Sequence, residues 1–145
     1  MHFVTGGAFN GKRRWVKETY QLENKVNVGW LSGYDSSIHL DQLMNVSHFQ
    51  LITVIEGWEQ FIWQSLSIEK DPRGFWQDLI RKWQAWEYSG SNRQIIIIGV
   101  DISKGIVPIE EKQRLWRDVT GWCYQDAIKR CLKVNIIWYG LSQCL

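Results

Sequence analysis

The chain has 145 residues, of which 45% are hydrophobic and 22% charged, and its formal net charge at pH 7 is +2. The hydrophobic fraction excludes a disordered chain, and so small a net charge does not point to nucleic acid as a partner. The length predicts a single globular domain over residues 1–145. The longest strongly apolar run, 95–100, is too short to span a bilayer, which takes about 20 residues.

Cysteine, tryptophan and N-terminal composition add three expectations. The N-terminus has no basic region followed by an apolar one, so we expect no signal peptide. The three cysteines form no CxxC pair, and we expect reduced thiols in a cytoplasmic protein. We expect the ten tryptophans to fill a crowded core or a subunit contact rather than to form a ligand cage.

Taken in chain order, five short segments are predicted to form β-strands: 2–5, 26–31, 49–55, 94–100 and 134–139. The third is rich in β-branched residues. The fourth is a nearly continuous apolar run, which is typical of a parallel strand that is buried on both faces.

Four amphipathic segments are predicted to be helices: 11–22, 58–66, 73–88 and 109–132. Their apolar residues recur at three- and four-residue spacing, so that each segment has one apolar face. Strands that alternate with helices of this length predict βαβ units. We therefore expect a three-layer α/β domain with a mainly parallel sheet of about five strands.

A glycine-rich segment joins the first predicted strand to the first predicted helix, with the GxxxxGK spacing of a phosphate-binding P-loop. Glycines let successive backbone N–H groups turn toward phosphate oxygens, and the helix N-terminus adds its positive end. The lysine reaches the outer phosphates as a point charge. A glycine-rich turn with a chance lysine is the alternative. The predicted nucleotide-binding residues are Gly6, Gly7, Ala8, Phe9, Asn10, Gly11, Lys12 and Arg13.

The expected metal site is incomplete in the sequence. Arg13 stands where P-loops normally carry the serine or threonine that binds Mg²⁺. Because a guanidinium has no acceptor to offer a metal, phosphate binding is favoured and metal-assisted transfer is in doubt. Glu56 and Asp101 both follow apolar strands, the usual position of the second metal ligand. We predict Glu56 as the metal ligand and Asp101 as a nucleotide-binding residue, with a solvated carboxylate as the alternative for each.

Two separate blocks resemble one family. The opening VTGGAFNGKRRW is similar to the V-T-G-G-x-x-S-G-K-S that begins the bifunctional adenosylcobinamide kinase / adenosylcobinamide-phosphate guanylyltransferase family. The later GIVPIEEKQRLWRDVTGWCYQ resembles that family's G-I-V-P and R-x-F-R-D-x-x-G-x-x-N-Q, with Tyr124 in place of the asparagine. In the middle, LITVIEGWEQFI is similar to the family's strand, acid and helix, with Glu56 in the acidic position.

The resemblance implies a P-loop, RecA-like fold and a homo-oligomer. The family phosphorylates adenosylcobinamide with a nucleoside triphosphate in cobalamin assembly, and then transfers GMP through a guanylylated histidine. The implied cofactors are GTP or ATP and Mg²⁺, and Lys12 and Glu56 are the implied catalytic residues. Arg117, on the helix after GIVP, is a predicted phosphate contact. The alternative for Arg117 is a solvated helix face paired to a glutamate.

The chain also departs from the family. Besides Arg13, it is shorter by some tens of residues, mostly between the second predicted strand and Glu56, where the family's histidine segment lies. His39 is the only catalytic candidate left there, because His48 is predicted to open a strand and a phosphate-accepting histidine must face the phosphate. We expect nucleotide binding and a cobinamide kinase whose guanylyl transfer is lost. The alternative is a degenerate module that binds a nucleotide or corrinoid, or docks on a full-length relative.

Overall fold

Strands and helices alternate along the polypeptide. The structure is a computed structural model that describes residues 1–145. The strands are β1 (His2–Gly6), β2 (Val28–Ser32), β3 (Ile52–Glu56), β4 (Gln94–Val100), β5 (Lys133–Trp138) and β6 (Leu141–Cys144). The α-helices are α1 (Lys12–Thr19), α2 (Leu40–Met44), α3 (Trp58–Ser65), α4 (Pro72–Tyr88) and α5 (Glu111–Ile128). Two 3₁₀ turns cover Leu22–Asn24 and Val46–His48.

All six strands form one sheet, in the order β2-β3-β4-β1-β5-β6. The first five strands of the chain pair in parallel, and β6 pairs antiparallel with β5. The predicted α/β class with a mainly parallel sheet is therefore confirmed. The carboxyl ends of β1, β3 and β4 lie at one edge of the sheet, where α/β folds usually bind ligands. No helix combines the length and apolarity needed to cross a membrane.

Helices cover both faces of the sheet, but unequally. Helices α2 to α5 cover one face, over a core that includes the fully buried Trp58, Trp76 and Trp83. Helix α1 and the turn after it cover the other face, over a smaller cluster around Val16 and Ile98. The rings of Trp58 and Trp76 meet edge to face at 5.6 Å, an arrangement that aromatic quadrupoles favour. Tryptophan thus fills the larger core, which is one of the two predicted roles.

Segment 49–55 is a strand only in part. Strand β3 begins at Ile52, because both of its neighbours also begin there: Val28 of β2 and Gln94 of β4 are its paired residues. His48, predicted to open this strand, lies instead in a 3₁₀ turn, so that prediction is wrong. Helix α2 was not predicted either, since five residues are too few to show a helical period.

Strand β6 was also not predicted. The two residues between β5 and β6, Tyr139 and Gly140, have φ values of 50° and 76°. Positive φ at both central residues matches the type I′ turn that favours two-residue hairpins. Because asparagine or aspartate usually precedes the glycine of such a turn, Tyr-Gly is a weak hairpin signal.

His2 is buried in β1 as a neutral side chain. Asn135 Oδ1 lies 2.8 Å from its Nε2 and therefore accepts a hydrogen bond, while the Tyr20 hydroxyl lies 2.6 Å from its Nδ1. The Asn135 amide is itself oriented, because its Nδ2 donates to the Ser142 hydroxyl at 2.8 Å. Burial lowers the pKa of His2 below its ordinary value of 6.5, outweighing the hydrogen bond to Asn135 that raises it.

This lowered pKa gives a pH prediction. The free energy of unfolding should fall as the pH drops below about 6.5, because the unfolded imidazole then binds a proton that folded His2 resists. Uptake of one such proton lowers the free energy of unfolding by about 1.4 kcal/mol for each pH unit. The decrease ends when the pH is below the pKa of folded His2, because both states are then protonated. Urea denaturation over this range measures the slope, and His2→Gln should reduce it. An equal slope in the variant would assign the effect to other groups.

Candidate phosphate-binding site

The loop between β1 and α1 is held open by its glycines. Gly6 has a φ of 147°, and a Cβ at this position would lie 2.2 Å from the backbone oxygen of Ile137 on β5. Gly11 has a φ of 87° and precedes the first residue of α1. Only glycine adopts such conformations without strain, so the tight passage from strand to helix requires these residues.

Substituting Gly6 tests this requirement. Gly6→Ala should lower the free energy of unfolding by roughly 2 kcal/mol or more, because the new Cβ meets backbone on a neighbouring strand. Chemical denaturation measures the loss. Gly121→Ala is the matched control, since that glycine lies inside α5 with open space around it and should gain about 0.5–1 kcal/mol. A Gly6→Ala variant as stable as the wild type would contradict the close approach of Gly6 to the backbone of Ile137.

The backbone N–H groups of residues 7–14 donate to no acceptor within the protein. The next N–H along the chain, that of Trp15, is paired: it donates to the Gly11 carbonyl at 2.9 Å. Unpaired N–H groups carry partial positive charge, and the positive end of α1 adds to it. The loop is therefore a concentrated set of donors for an anion.

Lys12 lies in the middle of these donors. Its side chain is buried, with 7% of the residue exposed, and its Nζ donates to the carbonyls of Gly7 at 2.6 Å and Gly6 at 3.3 Å. Burial lowers the pKa of Lys12 below its ordinary value, although the charges of Glu59 and Glu56 oppose this change. The ammonium has only neutral carbonyl partners, so its charge remains for a ligand.

A cleft of about 1130 Å³ begins at this loop. Basic and acidic side chains both line it, and the basic ones are in excess. Tyr34, which follows β2, forms part of its wall, and Phe9 is fully exposed at the tip of the loop. The basic lining residues are Lys12, Arg13, Arg14 and Lys17, and the acidic ones are Glu18, Glu23 and Glu56.

Glu56, the last residue of β3, is buried in the wall of the cleft and is paired. Its Oε2 forms an ion pair with Arg13 Nη2 at 2.9 Å and accepts a hydrogen bond from Trp30 Nε1 at 2.9 Å. The Arg13 guanidinium also lies 5.3 Å from the centroid of the Trp30 ring. The two positions that a P-loop normally uses for its metal are therefore joined to each other by an ion pair.

Glu59 is a further buried acid of the site that the sequence analysis missed. Only 1% of it is exposed, and its carboxylate accepts from the Tyr34 hydroxyl and, at 3.0 Å, from the backbone N–H of Val100. The Tyr124 hydroxyl, 3.3 Å from the same carboxylate, donates to the Val100 carbonyl at 2.9 Å. Burial raises the pKa of Tyr124, so its hydroxyl stays a donor.

The Glu59 network connects α3, β4 and α5 behind the cleft. Gly99 makes room for it, because a Cβ there would lie 2.2 Å from the Tyr124 hydroxyl oxygen. Beside it, the Thr5 hydroxyl is buried without a hydrogen-bond partner, one residue before the loop. The only sequence signal for Glu59 is its place in the first turn of the helix that follows Glu56. Acidic side chains are favoured at this place in any helix, because the helix N-terminus carries partial positive charge.

Asp101 and Arg117 lie outside the cleft. Asp101 accepts from the backbone N–H of Ser103 at 3.0 Å and pairs with Lys104 at 3.5 Å. Burial alone would raise the pKa of Asp101, but hydrogen bonds from Ser103 and the charge of Lys104 outweigh it and lower the pKa. Arg117 donates to the carbonyls of Ser103 and Ile106. Both side chains therefore hold the loop between β4 and α5.

His39 is also not among the residues that line the cleft. It immediately precedes α2 and is exposed, and its backbone N–H donates to Gln42 Oε1 at 2.8 Å. A histidine that takes up a phosphoryl or nucleotidyl group must face the phosphate. In this structure His39 is the N-cap residue of the short helix α2.

Of the predicted site residues, those that line the cleft are Ala8, Phe9, Asn10, Gly11, Lys12, Arg13 and Glu56. Gly6 and Gly7 do not line the cleft, but their carbonyls accept hydrogen bonds from Lys12, which does. A scan against models of known families finds no match for this chain, and a search of curated proteins finds no significant match. The function is therefore inferred from the cleft and from the sequence motifs.

Proposed function

We propose that this protein binds the phosphate groups of GTP or ATP in the cleft at the beginning of α1. One observation carries the proposal: the N–H groups of residues 7–14 are unpaired, and the same segment contains the buried ammonium of Lys12. Backbone donors at a helix N-terminus together with a lysine make the arrangement that P-loops use for phosphates.

The size of the cleft supports a nucleotide over inorganic phosphate. A volume of about 1130 Å³ is slightly above the usual range for small-molecule sites, about 300–1,000 Å³, and far exceeds what one phosphate fills. The wall also contains the rings of Phe9 and Tyr34, which offer planar apolar surface to a base. A RecA-like P-loop domain is the fold that goes with this proposal.

The resemblance extends the proposal to cobalamin assembly. Under this extension the protein is an adenosylcobinamide kinase, works as a homo-oligomer and has lost guanylyl transfer. The ion pair between Arg13 and Glu56 favours the second candidate, a module that binds nucleotide without turnover, because it engages the acid expected to hold the metal. The family's step requires a charge-neutralising cation at the transferred phosphoryl group.

Calorimetric titration with GTP and with ATP, each with Mg²⁺ and with EDTA, tests binding. Saturable heat with either nucleotide supports the proposal, and no heat under any of the four conditions contradicts it. Turnover is measured separately, as labelled γ-phosphate transferred from GTP or ATP to adenosylcobinamide. Transfer supports the kinase, whereas saturable binding without transfer supports the binding module.

A further inference from the structure

Arg13 stands at the sequence position where P-loops carry the serine or threonine that binds the metal. One of its terminal nitrogens, Nη2, pairs with Glu56 Oε2 at 2.9 Å, and the indole N–H of Trp30 donates to the same carboxylate oxygen at 2.9 Å. The Glu56 side chain is only 10% exposed, so the pair is shielded on the acidic side, while 56% of the Arg13 side chain remains exposed in the cleft. The guanidinium is therefore held at one end and open at the other.

These residues do not fit Mg²⁺. The ion takes six oxygen ligands in a near-ideal octahedron, usually with one or two carboxylates and substrate phosphates among them. Arg13 offers donors only, and Oε2 of the carboxylate beside it is already engaged by the ion pair with Arg13 and by a hydrogen bond from Trp30.

The guanidinium can supply the charge that the metal would supply. Arg13 has N–H donors at Nε and Nη1 that no protein acceptor uses, and it shares the cleft wall with Lys12. Guanidinium groups pair well with phosphate oxygens through parallel hydrogen bonds. A magnesium–nucleotide complex would bring a second cation against this fixed one and would carry less negative charge itself.

We infer that Arg13 takes the place of the metal, so that the ligand of this site is the metal-free polyphosphate of the nucleotide. This inference rests on the proposed function, because it needs phosphate in the cleft. Binding then does not require Mg²⁺, and excess Mg²⁺ weakens it by converting the free nucleotide into its magnesium complex.

The test is calorimetric titration of the whole chain with GTP and with ATP, in EDTA and in excess MgCl₂. The wild type should bind more weakly in MgCl₂ than in EDTA. Arg13→Ser restores the hydroxyl of ordinary P-loops beside Glu56, and it should lose roughly tenfold to 100-fold of its affinity in EDTA. Mg²⁺ should then strengthen binding by Arg13→Ser instead of weakening it.

Two further variants separate charge from geometry. Arg81→Ser is the matched control, because Arg81 is exposed on α4, does not line the cleft and pairs only with Asp78 at 2.7 Å. It should respond to Mg²⁺ as the wild type does. Arg13→Lys keeps the charge without the planar donors, and its affinity in EDTA should fall between those of the wild type and Arg13→Ser.

Wild-type binding that Mg²⁺ strengthens would overturn the inference while leaving the proposed function intact. An Arg13→Ser variant that is folded by circular dichroism and binds in EDTA as tightly as the wild type would also overturn it. Absence of wild-type binding in every condition would instead overturn the proposed function itself. The two failures are therefore distinguishable in one set of titrations.

Discussion

Replacing Lys12 by alanine should weaken binding of GTP or ATP by at least about 100-fold. The Lys12 ammonium is the only side-chain charge enclosed by the loop, and its partners there are the carbonyls of Gly6 and Gly7. A phosphate would gain a charge-assisted hydrogen bond from Nζ in a shielded position, and alanine removes it completely. Isothermal titration in EDTA measures the loss without interference from metal.

The control for this substitution is Lys70→Ala. Lys70 is an exposed lysine between α3 and α4, away from the cleft, so the variant changes net charge equally. Its affinity should match that of the wild type, which excludes a general effect of charge. Lys12→Met retains much of the buried aliphatic stem and should lose affinity as Lys12→Ala does. Retained affinity in both Lys12 variants would mean that the loop does not hold the phosphates.

Replacing Trp76 by alanine should lower the free energy of unfolding by about 3–5 kcal/mol. Trp76 is fully buried against the rings of Trp58 and Trp83, at centroid distances of 5.6 and 6.1 Å. Its indole N–H also donates to the Ser65 hydroxyl at 2.9 Å. The substitution therefore opens a large cavity and removes a buried hydrogen bond. The midpoint of urea denaturation measures the loss, provided that the m-value is unchanged.

Trp122→Ala makes the same chemical change on the surface. Trp122 lies on α5 with 42% of its area exposed, and the Arg73 guanidinium lies 5.7 Å from its ring. Its loss should cost about 1 kcal/mol or less. Equal costs for the two tryptophans would contradict the division between core and surface described above.

Much of the fold could be predicted because its signals are local. The run 94–100 is almost entirely apolar, and it forms β4 with the predicted bounds. The helical spacing in 73–88 predicts α4, which begins one residue earlier at a proline suited to the first helical turn. Signals were weaker at β3, where the start of the neighbouring strand decides the boundary. They were weakest at the β5–β6 turn, where Tyr139 adopts a positive φ.

The sequence also predicted some residues of the candidate site better than others. The GxxxxGK spacing and the acid after β3 are contiguous patterns, and they led to Lys12 and Glu56. Equally local patterns predict Asp101 and Arg117 as nucleotide-binding residues. In the structure, however, their hydrogen bonds are made within the loop between β4 and α5 and not in the cleft. A carboxylate at a strand end and an arginine on a helix have many partners available, and the sequence does not rank them.

By itself the sequence determined the α/β alternation and the loop that carries the lysine, because periodicity, glycine conformation and motif spacing are properties of neighbouring residues. Only the tertiary structure decided that Arg13 pairs with Glu56 and that Glu59 is buried against Tyr34 and Tyr124. These residues are brought together by strand order and helix packing. Their charges and hydrogen bonds therefore acquire partners only when the sheet has assembled.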